Sequence, residues 1–151
     1  MTEKSVEILL VEDNAEDVEL TLRALRKENL ANSIQVVHDG EEALEFIFCS
    51  GNYSGRCSES PPKLVLLDLK LPKVDGMQVL KRLKSDARTR NIPVVILTSS
   101  KEERDLVQSY GNGANSYIQK PVDFDQFRET VKKVGYYWVL INQPPPLAGT
   151  A

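Results

Sequence analysis

Cysteine is scarce in this chain. Only Cys49 and Cys57 occur, too few and wrongly spaced for a disulfide framework or a thiolate metal site. A bridge between them would close one short loop, but free thiols are the expectation in a reducing compartment. Histidine is scarcer still: His38 stands alone. One imidazole without a cysteine or a second histidine reads as a surface side chain, neither a metal ligand nor a phosphohistidine relay. No window approaches the ~20 consecutive apolar residues of a membrane span, and residues 1–7 lack the apolar centre of a signal peptide. A basic surplus is missing too. With 19 Lys and Arg against 22 Asp and Glu, the net charge is -3 and the pI near 5.3, so nucleic acid is not the expected partner. These absences predict a cytoplasmic protein with no membrane and no direct nucleic-acid contact.

What is present suffices for a core. At 151 residues, 41% of them hydrophobic, the chain fits one domain better than two. The stretch that organises it runs over 63–76. Leu64, Val65, Leu66 and Leu67 form a continuous apolar run, the pattern of a strand buried on both faces of a parallel sheet. The run ends in a carboxylate, Asp68. Pro72 and the Asp75-Gly76 pair then punctuate a loop, and a helical pattern follows from Met77 to about 86, carrying Leu80, Leu83 and Lys84.

The same alternation extends in both directions. Residues 7–11 form another apolar run ending in acids, Glu12 and Asp13. Asn14, with Asp17 three residues on, caps a helix to about 29 that buries Val18, Leu22 and Leu25. A strand over 34–37 leads through Asp39-Gly40 into a helix over 41–50. Residues 51–62 carry Gly, Ser, Asn and Pro without periodicity and read as a long surface loop. Downstream, a strand over 94–97 ends in Thr98, and Ser100 with Glu103 forms a capping box for a fourth helix over 101–110. A short fifth strand over 116–119 runs into Lys120-Pro121. Asp123 caps a fifth, amphipathic helix with Phe124, Phe127, Val131, Val134 and Trp138 on one face. Pro144 to Pro146 end any helix, so the domain is predicted over 1–142, with a mobile Pro-rich tail over 143–151. Five strands alternating with five helices imply an α/β fold: a parallel sheet, right-handed crossovers and helices on both faces.

In such a sheet the carboxyl ends of the strands share one edge, where open α/β folds place their ligands. Here they deliver Glu12 and Asp13, Asp68, Thr98 and Lys120. Three carboxylates, a hydroxyl and an ammonium make up the inventory of a phosphoryl-transfer site that uses a divalent cation. Two carboxylates ~5 Å apart repel by roughly 3 kcal/mol at an effective dielectric near 20. One lysine cannot offset several such pairs; Mg²⁺ can, and it neutralises an incoming phosphoryl group as well. Asp68 is then the nucleophile, Thr98 a hydrogen-bond partner for a phosphoryl oxygen, and Lys120 a positive charge for another.

Four ordered motifs carry a resemblance: Val-Glu-Asp at 11–13, Leu-Asp-Leu-Lys-Leu-Pro with Asp-Gly at 67–76, Leu-Thr-Ser at 97–99, and Lys-Pro at 120–121. Together they resemble the response-regulator receiver domain of two-component signalling, over about residues 6–140. The resemblance implies a flavodoxin-like sheet of order 2-1-3-4-5, with Asp68 accepting the phosphoryl group. It implies Mg²⁺ (or Mn²⁺) held by Asp13 directly, by Glu12 mainly through water, by Asp68, and by the backbone carbonyl of Lys70. Tyr117 matches the switch aromatic that turns inward when Thr98 moves toward the phosphate, and the bond before Pro121 is expected cis. The lysine side chain at position 70 departs from a position that tunes phosphoryl lifetime in the family. More finely, the 51–62 loop, Leu-Pro-Lys-Val-Asp-Gly and the ending Tyr-Tyr-Trp-Val-Leu-Ile-Asn-Gln-Pro-Pro-Pro resemble the stand-alone regulators partnered with cyanobacterial phytochromes. That implies a sensor histidine kinase partner of the phytochrome class.

Other readings compete. A phosphatase of the haloacid-dehalogenase class also uses a strand-end Asp and Mg²⁺, but it needs a second acid two residues on, where Lys70 stands. A flavodoxin-like binding module needs a phosphate-cradling loop after the first strand, rich in Ser, Thr or Gly, and Glu12-Asp13-Asn14 repel phosphate unless a metal intervenes. A pseudo-receiver that never turns over phosphate would not need the complete acid set. The protein is therefore expected to be a phospho-acceptor switch and not an enzyme. Tyr110, Tyr136, Val139 and Leu140 belong to an aromatic and apolar cluster that one helix cannot bury alone. They predict a homodimer through the face made by the fourth helix, fifth strand and fifth helix.

Overall fold

The computed structural model describes residues 8–26, 34–55, 61–98, 116–120 and 122–133. Five strands, β1 (Ile8–Val11), β2 (Ile34–Val37), β3 (Leu64–Asp68), β4 (Val94–Thr98) and β5 (Ser116–Gln119), pair in parallel in the order β2-β1-β3-β4-β5. The expected α/β receiver sheet is thus observed. β1, β3 and β4 are buried along their whole length, which is why their sequences read as unbroken apolar runs rather than alternating ones.

Successive side chains on these strands face opposite sides of the sheet and feed two cores. Leu9, Val11, Val65, Leu67, Val94 and Ile96 pack beneath α2 (Gly40–Phe48) and α3 (Gly76–Ser85). Ile8, Leu10, Leu64, Leu66, Val95 and Leu97 pack beneath α1 (Ala15–Arg26) and a final helix (Phe124–Lys133). On that second face Leu25 and Phe127 are fully buried, while Val18 and Leu22 pack at its margin.

Helix starts follow the capping chemistry. The Asp17 N–H donates to Asn14 Oδ1 at 2.9 Å, and the Gln126 N–H donates to Asp123 Oδ1 at 2.8 Å, as the sequence predicts. α3 begins one residue earlier than its apolar pattern suggests. Asp75 is its N-cap, in a reciprocal capping box with Gln78 (3.0 and 3.2 Å), and Gly76 is its first helical residue. The Asp-Gly pair resembles a turn signal, and here it opens a helix. α2 ends at Phe48 rather than Ser50, because Cys49 takes a left-handed conformation (φ 57) that stops it. The predicted 51–62 loop starts with a single 3₁₀ turn, Gly51–Tyr53. Its Tyr53 ring meets Phe46 edge-on at 5.1 Å, and its hydroxyl donates to Glu42 Oε2 at 2.7 Å, so the turn is pinned to α2.

Two glycines bring the segment after Asp68 close to its neighbours. A Cβ on Gly76 would lie 2.3 Å from the backbone oxygen of Asp68, and one on Gly40 would lie 1.8 Å from that of Val74. Neither position tolerates a side chain without moving the 69–75 loop. The predicted helix over 101–110, the tail over 143–151, and Cys57 lie outside the described residues.

Candidate functional site

Because the strands run parallel, the residues at their carboxyl ends meet at one edge of the sheet. Glu12 and Asp13 follow β1, Asp68 closes β3, Thr98 closes β4 and Lys120 follows β5. The register seats Val11 beside Leu67 and Asp68 beside Leu97. Glu12 therefore stands level with Asp68, and Thr98 lies one residue further along the same edge.

Glu12, Asp68 and Lys120 are each tied in place by local bonds. The Glu12 N–H donates to the Val37 carbonyl at 3.0 Å, which prolongs the β1–β2 pairing by one bond and leaves the Glu12 side chain fully buried. Glu12 Oε2 accepts from the Asn14 N–H at 3.2 Å. Asp68 is 5% exposed, and its Oδ1 accepts a long bond from the Lys70 N–H at 3.4 Å. The Lys120 N–H donates to the Thr98 carbonyl at 2.6 Å, so the lysine leaves β5 already tied to the end of β4. Asp13 is exposed.

The centre is an ammonium among carboxylates. Lys120 Nζ lies 2.8 Å from Glu12 Oε1, 3.1 Å from Asp17 Oδ2 and 3.2 Å from Asp68 Oδ2. Burial raises the Glu12 carboxyl to about 7; Lys120 opposes that shift and Asp68 adds to it. Burial also pulls the Lys120 ammonium down, but Glu12, Asp68 and Asp17 together hold it above the usual lysine range. The arrangement therefore favours a cation here and resists a full set of uncompensated carboxylates.

A divalent cation fits the donor set. Carboxylate oxygens of Glu12, Asp13 and Asp68 all lie within 4.8 Å of one another, and hard oxygen donors suit Mg²⁺, Mn²⁺ or Ca²⁺ rather than a thiophilic metal. Beside them the Thr98 hydroxyl is buried with no hydrogen-bond partner among the described residues. A buried orphan hydroxyl is costly unless something arrives to satisfy it.

The predicted residues thus converge, with limits. Lys70 stands exposed immediately beyond β3, and Tyr117 sits in β5 opposite Ile96, partly buried against the core beneath α2 and α3. Pro121, Tyr110, Tyr136, Val139 and Leu140 lie outside the described residues. His38 is exposed, in keeping with its reading as a surface residue. One participant was not singled out from sequence: Asp17. Its position explains itself as helix capping, and only the packing of α1 against the β5 end brings it to Lys120, 103 residues away.

Comparison with known proteins agrees with this geometry. The model of the response regulator receiver domain matches residues 8–132. The solved bacteriophytochrome response regulator AtBRR is 51% identical, covers 90% of this chain and 96% of its own, and superposes with a TM-score of 0.83. The response regulator Rcp1 of Synechocystis is 35% identical over 87% of this chain and 88% of its own. A crystal structure of the Mn²⁺-bound form of a response regulator Rcp1 superposes with a TM-score of 0.71, at 32% identity over 93% of this chain and 99% of that one. FilR2 of Methanothrix harundinacea, a probable methanogenesis regulatory protein, is 42% identical over 91% of this chain and 86% of its own. The phosphatase and flavodoxin-like readings are not favoured by any of these likenesses. Among the described residues no helix is long and apolar enough to cross a membrane. With the family model spanning most of the chain and the acids, hydroxyl and lysine meeting at one sheet edge, this protein belongs to the response regulator receiver domain family.

Proposed function

We propose that this receiver takes a phosphoryl group from a phytochrome-class sensor histidine kinase onto Asp68 and signals through the change in surface that follows. The observation that carries the reading is the meeting of Glu12, Asp13 and Asp68 within 4.8 Å beside an ion-paired lysine. Receivers act in general as signalling switches rather than as true enzymes, and a sensor kinase is their usual partner. The phytochrome assignment rests on AtBRR and Rcp1-type regulators being among the similar proteins.

In the transfer, an Asp68 carboxylate oxygen attacks phosphorus as the N–P bond of the kinase phosphohistidine breaks. The imidazole departs with the bonding electrons, and an aspartyl phosphate is left. Bound Mg²⁺, the cation assigned to Glu12, Asp13, Asp68 and the Lys70 carbonyl, would screen the carboxylates from the incoming phosphoryl oxygens. Lys120 donates to one phosphoryl oxygen, and the Thr98 hydroxyl, without a partner among the described residues, donates to another. Thr98 then moves toward the phosphate, and Tyr117 follows it inward. A switch of this kind needs a ligand that favours one conformer over the other, not merely one that binds tightly. A homodimer through Tyr110, Tyr136, Val139 and Leu140 carries the change onward; sedimentation that returned only 17.0 kDa species with Mg²⁺ and phosphodonor would oppose it.

The direct test is phosphorylation. Acetyl phosphate or a purified phytochrome kinase, with Mg²⁺, should label the wild type and leave Asp68→Asn unlabelled. Equal labelling of the variant would refute the assignment of the acceptor.

A further inference from the structure

We infer that Asp17, in the first turn of α1, is a positioning residue for the phosphotransfer step, because it accepts a hydrogen bond from the same Lys120 ammonium that pairs with the acceptor. The inference rests on the role given above to Lys120.

An ammonium has three N–H donors and no acceptor. Among the described residues three carboxylate oxygens surround Lys120 Nζ within 3.2 Å, one each from Glu12, Asp17 and Asp68. Of the three, Asp17 Oδ2 accepts a hydrogen bond from the ammonium, while Glu12 and Asp68 pair with it as ions. When Asp68 takes a phosphoryl group, the negative charge moves from its carboxylate to the phosphoryl oxygens. The third N–H of Lys120 follows that charge, while Glu12 and Asp17 keep the other two. Without Asp17, a lysine with four rotatable side-chain bonds would be held at a single point, and its approach to the phosphoryl oxygen would be less well directed.

Asp17 is itself fixed. Its N–H donates to Asn14 Oδ1 at 2.9 Å, and the Asn14 N–H donates to Glu12 Oε2 at 3.2 Å, so a short chain of bonds links Asp17 to the buried acid that shares the lysine with it. Its carboxylate is 29% exposed, against 0% for Glu12. Neighbouring Glu16 occupies the same helical turn and is exposed, and among the described residues it makes no ion pair with Lys120. The two acids serve the helix N-terminus alike but only one reaches the site, which separates a helix-capping role from a positioning one.

Phosphorylation by acetyl phosphate at saturating Mg²⁺ tests this in the full chain. Asp17→Asn should slow labelling about tenfold, the scale of a misdirected catalytic group. Asp17→Glu should recover most of the rate, and Glu16→Gln should leave it unchanged. In a Lys120→Ala background the Asp17→Asn change should have no further effect, because coupled groups fail to add. An Asp17→Asn rate equal to wild type, with Lys120→Ala slow, overturns the positioning role and leaves the proposed function standing. An equal fall in both backgrounds overturns it as well, since that is the mark of a merely structural residue. A Lys120→Ala rate equal to wild type removes both this inference and the role of Lys120 in transfer.

Discussion

At the scale of single residues the site is governed by where charge can be tolerated. Glu12 is fully buried, with its carboxyl raised to about 7 from an ordinary 4.5. A group whose folded pKa lies above its unfolded value contributes stability below the unfolded pKa and loses it as pH rises through the folded one. Without a divalent cation, the protein should therefore lose stability between pH 4.5 and about 7 on account of this group. Protons and cations compete for the same carboxylate, so apparent Mg²⁺ affinity should rise across that window. Urea melts at pH 5.5 and 7.5, with EDTA and with Mg²⁺, check both signs; the EDTA series alone should weaken at the higher pH. Gly76 is the other sensitive position. Gly76→Ala places a methyl 2.3 Å from the Asp68 backbone oxygen, a clash that should cost about 1–3 kcal/mol in overpacking and shift the acceptor. Denaturation together with a lower phosphorylation rate reads it out.

At the scale of elements, the helices are held by caps and by contacts between their ends. Asp75 caps α3 reciprocally with Gln78, and Asp75→Ala should cost about 1 kcal/mol by chemical denaturation. Because α3 starts directly behind Asp68, the same variant should loosen the acceptor loop. At the far end of α3, Lys84 donates to the carbonyls of Arg90 (3.0 Å) and Ile92 (2.8 Å), which fastens the helix to the approach of β4. Burial pulls its ammonium down, the opposite of what Lys120 meets among acids. Phe48 of α2 lies under the guanidinium groups of Arg82 (4.4 Å) and Arg88 (5.1 Å), both paired with Asp86, so α2 and α3 are joined by cation–π contact rather than by apolar packing alone. The 69–75 loop is stapled to α2 by Lys73, which holds φ 67 and pairs with Asp39 and Glu41.

At the scale of the whole molecule, the two cores make the sheet edge rigid enough to hold mutually repelling acids. Phe127 is fully buried between the final helix and the sheet, and Phe127→Ala should destabilise by about 3–5 kcal/mol, measured by thermal or urea unfolding. A cation that binds only the folded state should stabilise it by about 2.7 kcal/mol at a hundredfold excess over Kd, and so raise the melting temperature with concentration. Asp13→Ala should abolish that rise, and calorimetry showing unchanged cation uptake in the variant would remove Asp13 from the ligand set. Much of this was legible from the chain alone. Unbroken apolar runs at 8–11, 64–67 and 94–97 mark buried parallel strands because both faces need covering, and the polar residue after each marks one shared edge. Helix starts at Asn14 and Asp123 were equally legible, since capping is a local hydrogen bond. What lay hidden depends on approach through space. Asp75-Gly76 reads as a turn until Gly76 is seen against Asp68, and Asp17 reads as a helix cap until α1 brings it to Lys120. Local chemistry and period determined the strands, the caps and the identity of the acids; only the packing of α1 and α3 onto the sheet decided which charges share one ammonium, because distances between residues far apart in sequence exist only once the chain has closed.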